Sequence, residues 1–239
     1  MEVWLFISAL FAEIVGTIAG FGSSTIFLPL ALIFLDFKTA LVIVAFFHIS
    51  GNIGRIGFFK KGLDRELLIK FGLPSVGLTV AGALLVSFVS QDLLKGLLGL
   101  FLIVYASYAL WREDFHIPAS TKSAIIGGGL SGFLAGLIGT GGALRGAFLT
   151  GFALPKEKYI ATAAAVALAV DLTRIPIYLS QGFLETKYYW YLPILFILAL
   201  TGAFIGRQIV KRFSYKIFRK IVLMAILLAG IKFIFDWLT

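Results

Sequence analysis

Long apolar runs fill most of the chain and predict membrane-spanning helices. A helix needs about 20 apolar residues to cross the hydrocarbon core of a bilayer. Six such runs follow one another, at residues 39–59, 67–89, 93–111, 159–180, 188–206 and 217–236. Two further runs, 2–35 and 123–154, are interrupted by the glycine-rich strings "GFGSST" at 20–25 and "GTGG" at 139–142. The pieces after these interruptions have about 12 or 13 residues and would reach only about 20 Å, short of a roughly 30 Å core.

The two halves of the chain repeat this pattern. The string "GTIAGFGSSTIFLPL" from Gly16 matches "GFLAGLIGTGGALRGA" from Gly132, and "GNIGRIG" from Gly51 matches "VDLTRIP" from Val170. The offset between matched positions stays between 116 and 120 residues and also aligns an arginine and a proline. Chance matching would not keep so steady an offset. The sequence therefore predicts two structural repeats, 1–111 and 123–239, joined by a connecting loop at 112–122.

The distribution of basic residues favours an inverted arrangement of the two repeats, because basic loops lie on the cytoplasmic side of a membrane. If each broken run enters the membrane and turns back, 14 of the 21 basic residues lie inside, four outside and three within the membrane. Each repeat is then a re-entrant helical hairpin followed by three transmembrane helices. The odd number of crossings inverts the second repeat and places both termini outside. A full crossing by residues 2–19 is the alternative.

Composition supports this fold class and argues against several others. Hydrophobic residues make up 60% of the 239 residues and charged residues only 14%, with a mean hydropathy of +1.01, whereas a soluble domain is about half apolar and a quarter charged. We expect an all-α integral membrane protein, multi-pass in the cell membrane. The N-terminal string "MEVWLFISALFAEIVG" lacks a basic leader and a small-residue cleavage site, so we expect it to be mature structure.

Charge and residue usage limit the partners of the chain. The formal charge of +9 is explained by cytoplasmic loops rather than by nucleic-acid binding. The sequence has no cysteine and only two histidines. We therefore expect no disulfide, no metal site and no cofactor.

The two glycine breaks predict an anion site at the tips of the hairpins. Non-helical backbone at membrane depth must be buried in protein or face water, and each tip begins a new short helix, at about Ser23 and at about Gly141. The free N–H groups and positive dipole end of a helix start favour anions, and glycine lets the backbone approach a ligand closely. Ordinary helix caps and close-packing glycines are the alternative. The predicted binding residues here are Gly22, Ser23, Ser24, Thr25, Gly139, Thr140 and Gly141.

Polar side chains recur at helical spacing within one predicted span of each half. His48, Asn52 and Arg55 are spaced i, i+4, i+7, and Asp171 and Arg174 are spaced i, i+3. An arginine inside a membrane costs several kcal/mol and normally faces the bundle interior, a cavity or a partner. We therefore predict Asn52, Arg55 and Arg174 as substrate-binding residues. The alternatives are an ion pair with Asp171 for Arg174 and snorkelling to the nearby basic loop for Arg55.

Arg145 lies one turn into the second short helix and is a third predicted binding arginine; a position under the cytoplasmic surface near Lys156 is its alternative. Three arginines against Glu13 and Asp171 leave the apolar segments with a formal excess of one positive charge. Such a cavity favours a small oxyanion, since the planar guanidinium matches carboxylate, sulfonate or sulfite oxygens. Glu13, His48 and Asp171 are candidates for carrying a coupling proton. An interior hydrogen bond is the alternative role for Glu13 and His48.

These strings resemble the TauE/SafE family of membrane permeases, also called sulfite exporters. The resemblance rests on the two glycine-rich strings with the following "NIGR" and "DLTR", and it covers nearly the whole chain. It implies a multi-span carrier for small sulfur-containing or carboxylate anions, often an exporter of sulfite, sulfoacetate or related C2 compounds. The first hairpin reads "GFGSS" where many members carry a more glycine-rich string. The matching positions are Gly20, Gly22, Ser23, Asn52, Arg55, Gly139, Thr140, Gly141, Asp171 and Arg174.

The sequence thus favours a secondary transporter, an exporter of small anions that works by alternating access around a site near the membrane midplane. Its expected partners are the lipid bilayer, the anion and a coupling proton or sodium ion, and a homo-oligomer is an open option. A passive anion channel of the same architecture is the main alternative. An enzyme is not expected, because no metal motif and no serine–histidine pair occurs at useful spacing. A scaffold or insertion factor with a groove open to lipid is a further alternative.

Overall fold

The chain forms helices joined by short loops wherever its placement is described. The computed structural model describes residues 2–19, 22–58, 62–112, 117–209 and 215–239, and no β-strand occurs in these ranges. Parts of the first glycine break, of the connecting loop and of the two basic loops lie outside the described residues, among them Gly20, Lys60, Lys61, His116, Lys211 and Arg212. The α-helices of the described residues are α1 (Glu2–Ala19), α2 (Ser24–Ala31), α3 (Phe37–Phe58), α4 (Arg65–Leu67), α5 (Leu73–Leu85), α6 (Gln91–Trp111), α7 (Thr121–Ile138), α8 (Gly142–Leu149), α9 (Lys156–Ser180), α10 (Tyr191–Ile209) and α11 (Tyr215–Leu238). A π-helical turn, Leu68–Gly72, joins α4 to α5.

Seven helical stretches of the described residues are long and apolar enough to cross a membrane. Six of them correspond to the six ordinary spans that the sequence predicts, and their ends differ from the prediction by three residues or fewer. The seventh is α7, the first arm of the second broken run. The prediction of an all-α, multi-pass membrane protein is confirmed. The seven stretches are Phe37–Phe58, Arg65–Phe88, Gln91–Trp111, Thr121–Ile138, Lys156–Ser180, Thr186–Ile209 and Lys220–Leu238.

The helices after the two glycine breaks are shorter than the sequence suggests. α2 and α8 have eight residues each, which is about 12 Å, so the expected length of 12 or 13 residues is wrong. A turn at residues 32–35 follows α2, and a 3-10 turn, Thr150–Phe152, follows α8. The first arms, α1 and α7, have 18 residues each, or about 27 Å. Whether these arms cross the membrane or re-enter stays a prediction.

Helix contacts between the two halves of the chain have counterparts in which the corresponding helices of the halves are exchanged. α1 packs along α10, and α7, its counterpart in the second half, packs along α5. α3 contacts α10 while α9 contacts α5, and the pairs α3–α9 and α6–α11 bring like elements together. A two-fold relation between the halves produces such a pattern. The direction of that relation in the membrane, and with it the inverted topology and the domain boundaries, stays a prediction.

Small residues let α5 and α7 approach closely. A Cβ added at Gly132 would lie 2.6 Å from the Cα of Ser75, and one added at Gly136 would lie against the backbone of Thr79. Ser75 Oγ donates to the carbonyl oxygen of Gly128 at 2.9 Å, and Thr79 Oγ1 donates to that of Gly132 at 3.0 Å. Close packing, with hydroxyl groups bonded across the interface, therefore explains these glycines of α7.

Candidate functional site

The tips of the two broken runs meet inside the protein. The hydroxyl of Thr25, in the first turn of α2, and that of Thr140, in the break before α8, are hydrogen-bonded at 2.9 Å, and both residues are fully buried. Gly22 (φ +90°) and Gly139 (φ +77°) hold left-handed backbone at the breaks, a conformation that favours glycine. The structure thus brings together the two strings that the sequence pairs, across 115 residues of chain.

The other predicted residues of the tips are buried in different ways. Gly141 lies against Ser131, whose carbonyl oxygen a Cβ at Gly141 would overlap, so close packing requires this glycine. Ser24 is buried in the first turn of α2. Ser23 precedes α2, but its side chain makes no capping bond, and its buried Oγ has no hydrogen-bond partner in the described part of the chain. The first tip therefore keeps one hydroxyl free.

A buried polar cluster joins α3 to α9. His48 Nδ1 lies 2.8 Å from Asp171 Oδ2, and Asn52 Nδ2 donates to the same oxygen at 3.5 Å. Arg174 donates to Asp171 Oδ1 from Nε at 2.9 Å, and its second guanidinium nitrogen lies 2.7 Å from that oxygen. Arg174 also donates to the carbonyl oxygen of Ala135 on α7 at 2.6 Å. The ion pair that the i, i+3 spacing allows therefore forms, and it fixes Arg174 away from solvent.

A second buried pair joins α3 to α1. Arg55 donates to Glu13 Oε1 and, at 2.9 Å, to Asn52 Oδ1. Thr17 Oγ1 also donates to Glu13 Oε1, at 3.3 Å. Gly51 makes room for this carboxylate, because a Cβ there would lie 2.6 Å from Glu13 Oε1. Arg55 thus meets an acid from another helix rather than snorkelling to the loop, and through Asn52 and Asp171 it belongs to the same hydrogen-bonded chain as Arg174.

Arg145 differs from the other two buried arginines. It is only 5% exposed, yet it has no carboxylate partner among the described residues. Its guanidinium donates to the carbonyl oxygen of Ala163 at 3.3 Å, and its Nε is buried without any partner in the described part of the chain. A buried charge without a counterion is costly. This side chain therefore leaves a positive charge and a free N–H donor for a ligand.

A cavity of about 50 Å³ lies beside Arg145, among α1, α3 and the starts of α8 and α9. One water needs about 10–15 Å³, so the cavity has room for a few waters or one small anion. Half-buried Tyr159 and Ile160, at the start of α9, flank it on the side that loop charge predicts to be cytoplasmic. Toward the other end of α3 the space is filled, since Phe27 and Phe47 are fully buried with ring centroids 4.7 Å apart.

The structure brings only some of the predicted site residues to this cavity. Those that line it are Gly22, His48, Asn52, Arg55 and Arg145. Those that do not line it are Glu13, Ser23, Ser24, Thr25, Gly139, Thr140, Gly141, Asp171 and Arg174. Glu13 and Asp171 remain one contact away, through Arg55, His48 and Asn52. Arg174 is two contacts away, through Asp171.

Several lining residues are not found by the sequence reasoning. Gly142 and Gly146, at i−3 and i+1 from Arg145, also line the cavity. From α9 come Tyr159, Ile160, Ala163 and Ala164, spaced i, i+1, i+4, i+5. That spacing places them on one helix face. Small residues beside a tyrosine on one face are the sequence feature that could have predicted this part of the lining. Among the described residues no group of three or more histidine, aspartate or glutamate side chains could hold a metal ion.

Comparison with known proteins gives one match. The sequence fits the model of the protein family described as "Sulfite exporter TauE/SafE" over residues 5–233, nearly the whole chain. No curated protein and no solved structure matches the chain.

Proposed function

Because the chain belongs to the TauE/SafE sulfite exporter family, a family of membrane transporters rather than enzymes, we propose that it exports small sulfur-containing or carboxylate anions such as sulfite or sulfoacetate across the cell membrane. It works as a secondary transporter by alternating access, with the anion bound in the cavity beside Arg145. The family description supports both the class of substrate and the direction of transport.

The observation that carries this proposal is the uncompensated charge of Arg145. Arg55 and Arg174 each have a buried carboxylate partner, whereas Arg145 has a backbone carbonyl and a free Nε. Desolvating a guanidinium without a counterion is unfavourable. A bound oxyanion would supply both the missing negative charge and the missing acceptor. We therefore assign the main charge contact to Arg145, with Arg55 and Asn52 lining the same cavity from α3.

The start of α8 adds a second source of positive potential. Gly142, the first residue of α8, lines the cavity, and Gly142, Ala143 and Leu144 precede Arg145 in the first turn. Backbone N–H groups of a first turn have no partner within the helix, and the helix dipole places its positive end there. An anion beside Arg145 would therefore meet the side-chain charge and the helix end together.

The surroundings of the cavity in the described part of the chain support a carrier over a channel. The half-buried residues at the start of α9 border the cavity, while the hydrogen-bonded tips and the packed ring pair of Phe27 and Phe47 fill the other side. A channel needs a continuous path, and a carrier needs one side closed at a time. Saturable flux in proteoliposomes is expected; flux that rises without saturation would favour the channel.

The test replaces Arg145 by glutamine, which keeps length and polarity but removes the charge. Hydrogen bonds to charged groups contribute about 1.5–3 kcal/mol, so sulfite binding should weaken roughly 10- to 100-fold. Binding is measured by calorimetry on purified protein and transport by sulfite efflux from proteoliposomes. The matched control is Arg65→Gln, the same charge change at an exposed position, which should leave both unchanged. Equal sulfite binding in wild type and Arg145→Gln would overturn the assignment.

A further inference from the structure

The buried charges around the cavity do not balance. The charged side chains buried in the described residues are three guanidinium groups, two carboxylates and one histidine. With the histidine neutral, the cluster has one positive charge in excess. With the histidine protonated, it has two. Because a net charge is costly in a low-dielectric interior, the charge on the histidine decides which anion completes the cluster.

His48 lies where the charge on its ring would act on a ligand in the cavity. Its ring lines the cavity, and its Nδ1 is hydrogen-bonded to Asp171 at 2.8 Å. A Cβ added at Gly22, another lining residue, would lie 3.3 Å from His48 Nε2. The second ring nitrogen of His48 therefore faces the backbone of the first tip. A proton on the ring would therefore be stabilised by Asp171 on one side and act on a cavity ligand on the other.

The charged groups near His48 come from several helices. Asp171 contacts it from α9 and is itself paired with Arg174 of the same helix. Arg145 borders the same cavity from α8, and Arg55 lies two turns along α3 and is paired with Glu13 of α1. α2 carries no charged residue. Arg207 of α10 lies instead over the Phe58 ring at 5.7 Å, and Asp92 and Lys95 of α6 pair with each other.

We propose, on the basis of the proposed anion site, that this site takes a monoanion without a proton but takes a dianion together with one proton, which is held on His48. Protonated His48 and uncompensated Arg145 then supply two positive charges to the dianion. Neutral His48 leaves the one charge that a monoanion requires. The complex is electrically balanced in both cases, and a dianion crosses the membrane as a unit with one proton.

The test counts protons taken up when purified wild-type protein binds an anion of fixed charge. Sulfate serves as the dianion and methanesulfonate as the monoanion, and calorimetry in buffers of different ionisation enthalpy gives protons per anion. At roughly pH 8, where an ordinary histidine is neutral, sulfate should bind with uptake of about one proton and methanesulfonate with none. Sulfate affinity should fall about tenfold per pH unit above the histidine range, and methanesulfonate affinity should not change.

Two histidine variants locate the proton. His48→Gln should remove the proton uptake that accompanies sulfate binding, and His116→Gln, a change of the other histidine in the sequence, should retain it. Proton uptake that survives His48→Gln, or that is equal for the two anions, or zero for both, would overturn this inference and leave the anion site standing. If neither anion bound, the inference would fail. If sulfite did not bind either, the proposed function would fail with it. If His48→Gln does not fold, the wild-type buffer comparison still decides whether the dianion binds together with a proton.

Discussion

Three buried arginines differ in what each contacts, although the sequence treats them alike. Arg174 pairs within its own helix, Arg55 pairs with Glu13 across 42 residues, and Arg145 pairs with no described carboxylate. The first pairing could be predicted, because i, i+3 residues share a helix face. The second could not, since it depends on how α1 packs beside α3. The special position of Arg145 follows only from the three-dimensional structure, in which no carboxylate of the described residues forms an ion pair with it.

Removal of the Glu13 carboxylate should be strongly destabilising. Glu13→Gln leaves Arg55 buried without its counterion, and breaking one side of a buried ion pair costs about 3–5 kcal/mol. Thermal or denaturant unfolding in detergent measures the loss. Glu66→Gln is the control, because Glu66 forms an exposed pair with Lys70, and such pairs contribute about 0–1 kcal/mol. An equal effect of both changes would contradict the buried pair as a stabilising element.

At the scale of elements, the glycine breaks were predictable and the lengths around them were not. The sequence places the starts of α2 and α8 within one residue, because left-handed glycines interrupt the apolar runs there. It predicts both helices too long, since an apolar turn at 32–35 and a 3-10 turn at 150–152 have the same hydropathy as a helix. The glycines of α7 predict that another helix approaches it closely. They do not predict that this helix is α5.

A methyl group at the α5–α7 interface should separate these helices. Gly132→Ala places a Cβ against the backbone of Ser75, which cannot move aside as a flexible side chain could. Overpacking of this kind costs about 1–3 kcal/mol, and the melting temperature in detergent should fall. Gly77→Ala, on α5, meets nothing within 4 Å and should leave the melting temperature unchanged or raise it slightly, because alanine favours a helix more than glycine does. An unchanged or raised melting temperature for Gly132→Ala as well would contradict close packing at this interface.

The N-terminal cap of α4 should make stability depend on pH. The backbone N–H of Leu67, together with the Lys158 ammonium 3.0 Å away, lowers the pKa of Asp64 below its usual value. A lowered pKa means that the stabilisation is present above the ordinary carboxyl range near pH ~4 and is lost as the pH falls through the lowered value.

Asp64→Ala tests this cap. The variant should lose about 1 kcal/mol at pH 7, and its difference from wild type should shrink below about pH 4. Unfolding at several pH values measures both effects. Asp92→Ala, at an exposed position on α6, should change stability by less than about 0.5 kcal/mol throughout. A constant difference for Asp64→Ala at every pH would show that the charge of the cap is not involved.

At the scale of the whole molecule, the two halves share a pattern of helix packing but differ in where they place charged side chains. The same order of helices in the two halves could be predicted, because the apolar runs recur at a nearly constant offset in the sequence. The charge distribution could not. Arg145 is the fourth residue of α8, and the fourth residue of α2 is Phe27. One half therefore places a cation beside the cavity where the other packs an aromatic ring.

Alternating access requires the tips to change their contact, which a reversible cross-link can test. The chain has no cysteine, so Thr25→Cys with Thr140→Cys introduces one unique pair where two hydroxyl groups now lie 2.9 Å apart. Oxidation should reduce sulfite flux at least about tenfold while sulfite binding remains, and a reductant should restore the flux. The two single variants are the controls. Undiminished flux in the oxidised protein would show that the tips stay together during transport.

The replacement of a cation by a ring at matching places bears on how the two faces of the transporter compare. A carrier with identical halves would have the same half-saturation concentration for its cargo on either side of the membrane. In the proposed transport cycle, the cytoplasm-facing form exposes Arg145, whereas the form open to the other side would expose the place that Phe27 occupies. The half-saturation concentration should thus be lower on the cytoplasmic side than on the outer side, so that the carrier rebinds little of the anion that it has released. Such a difference in affinity between the two sides would favour net export, as the proposed function requires.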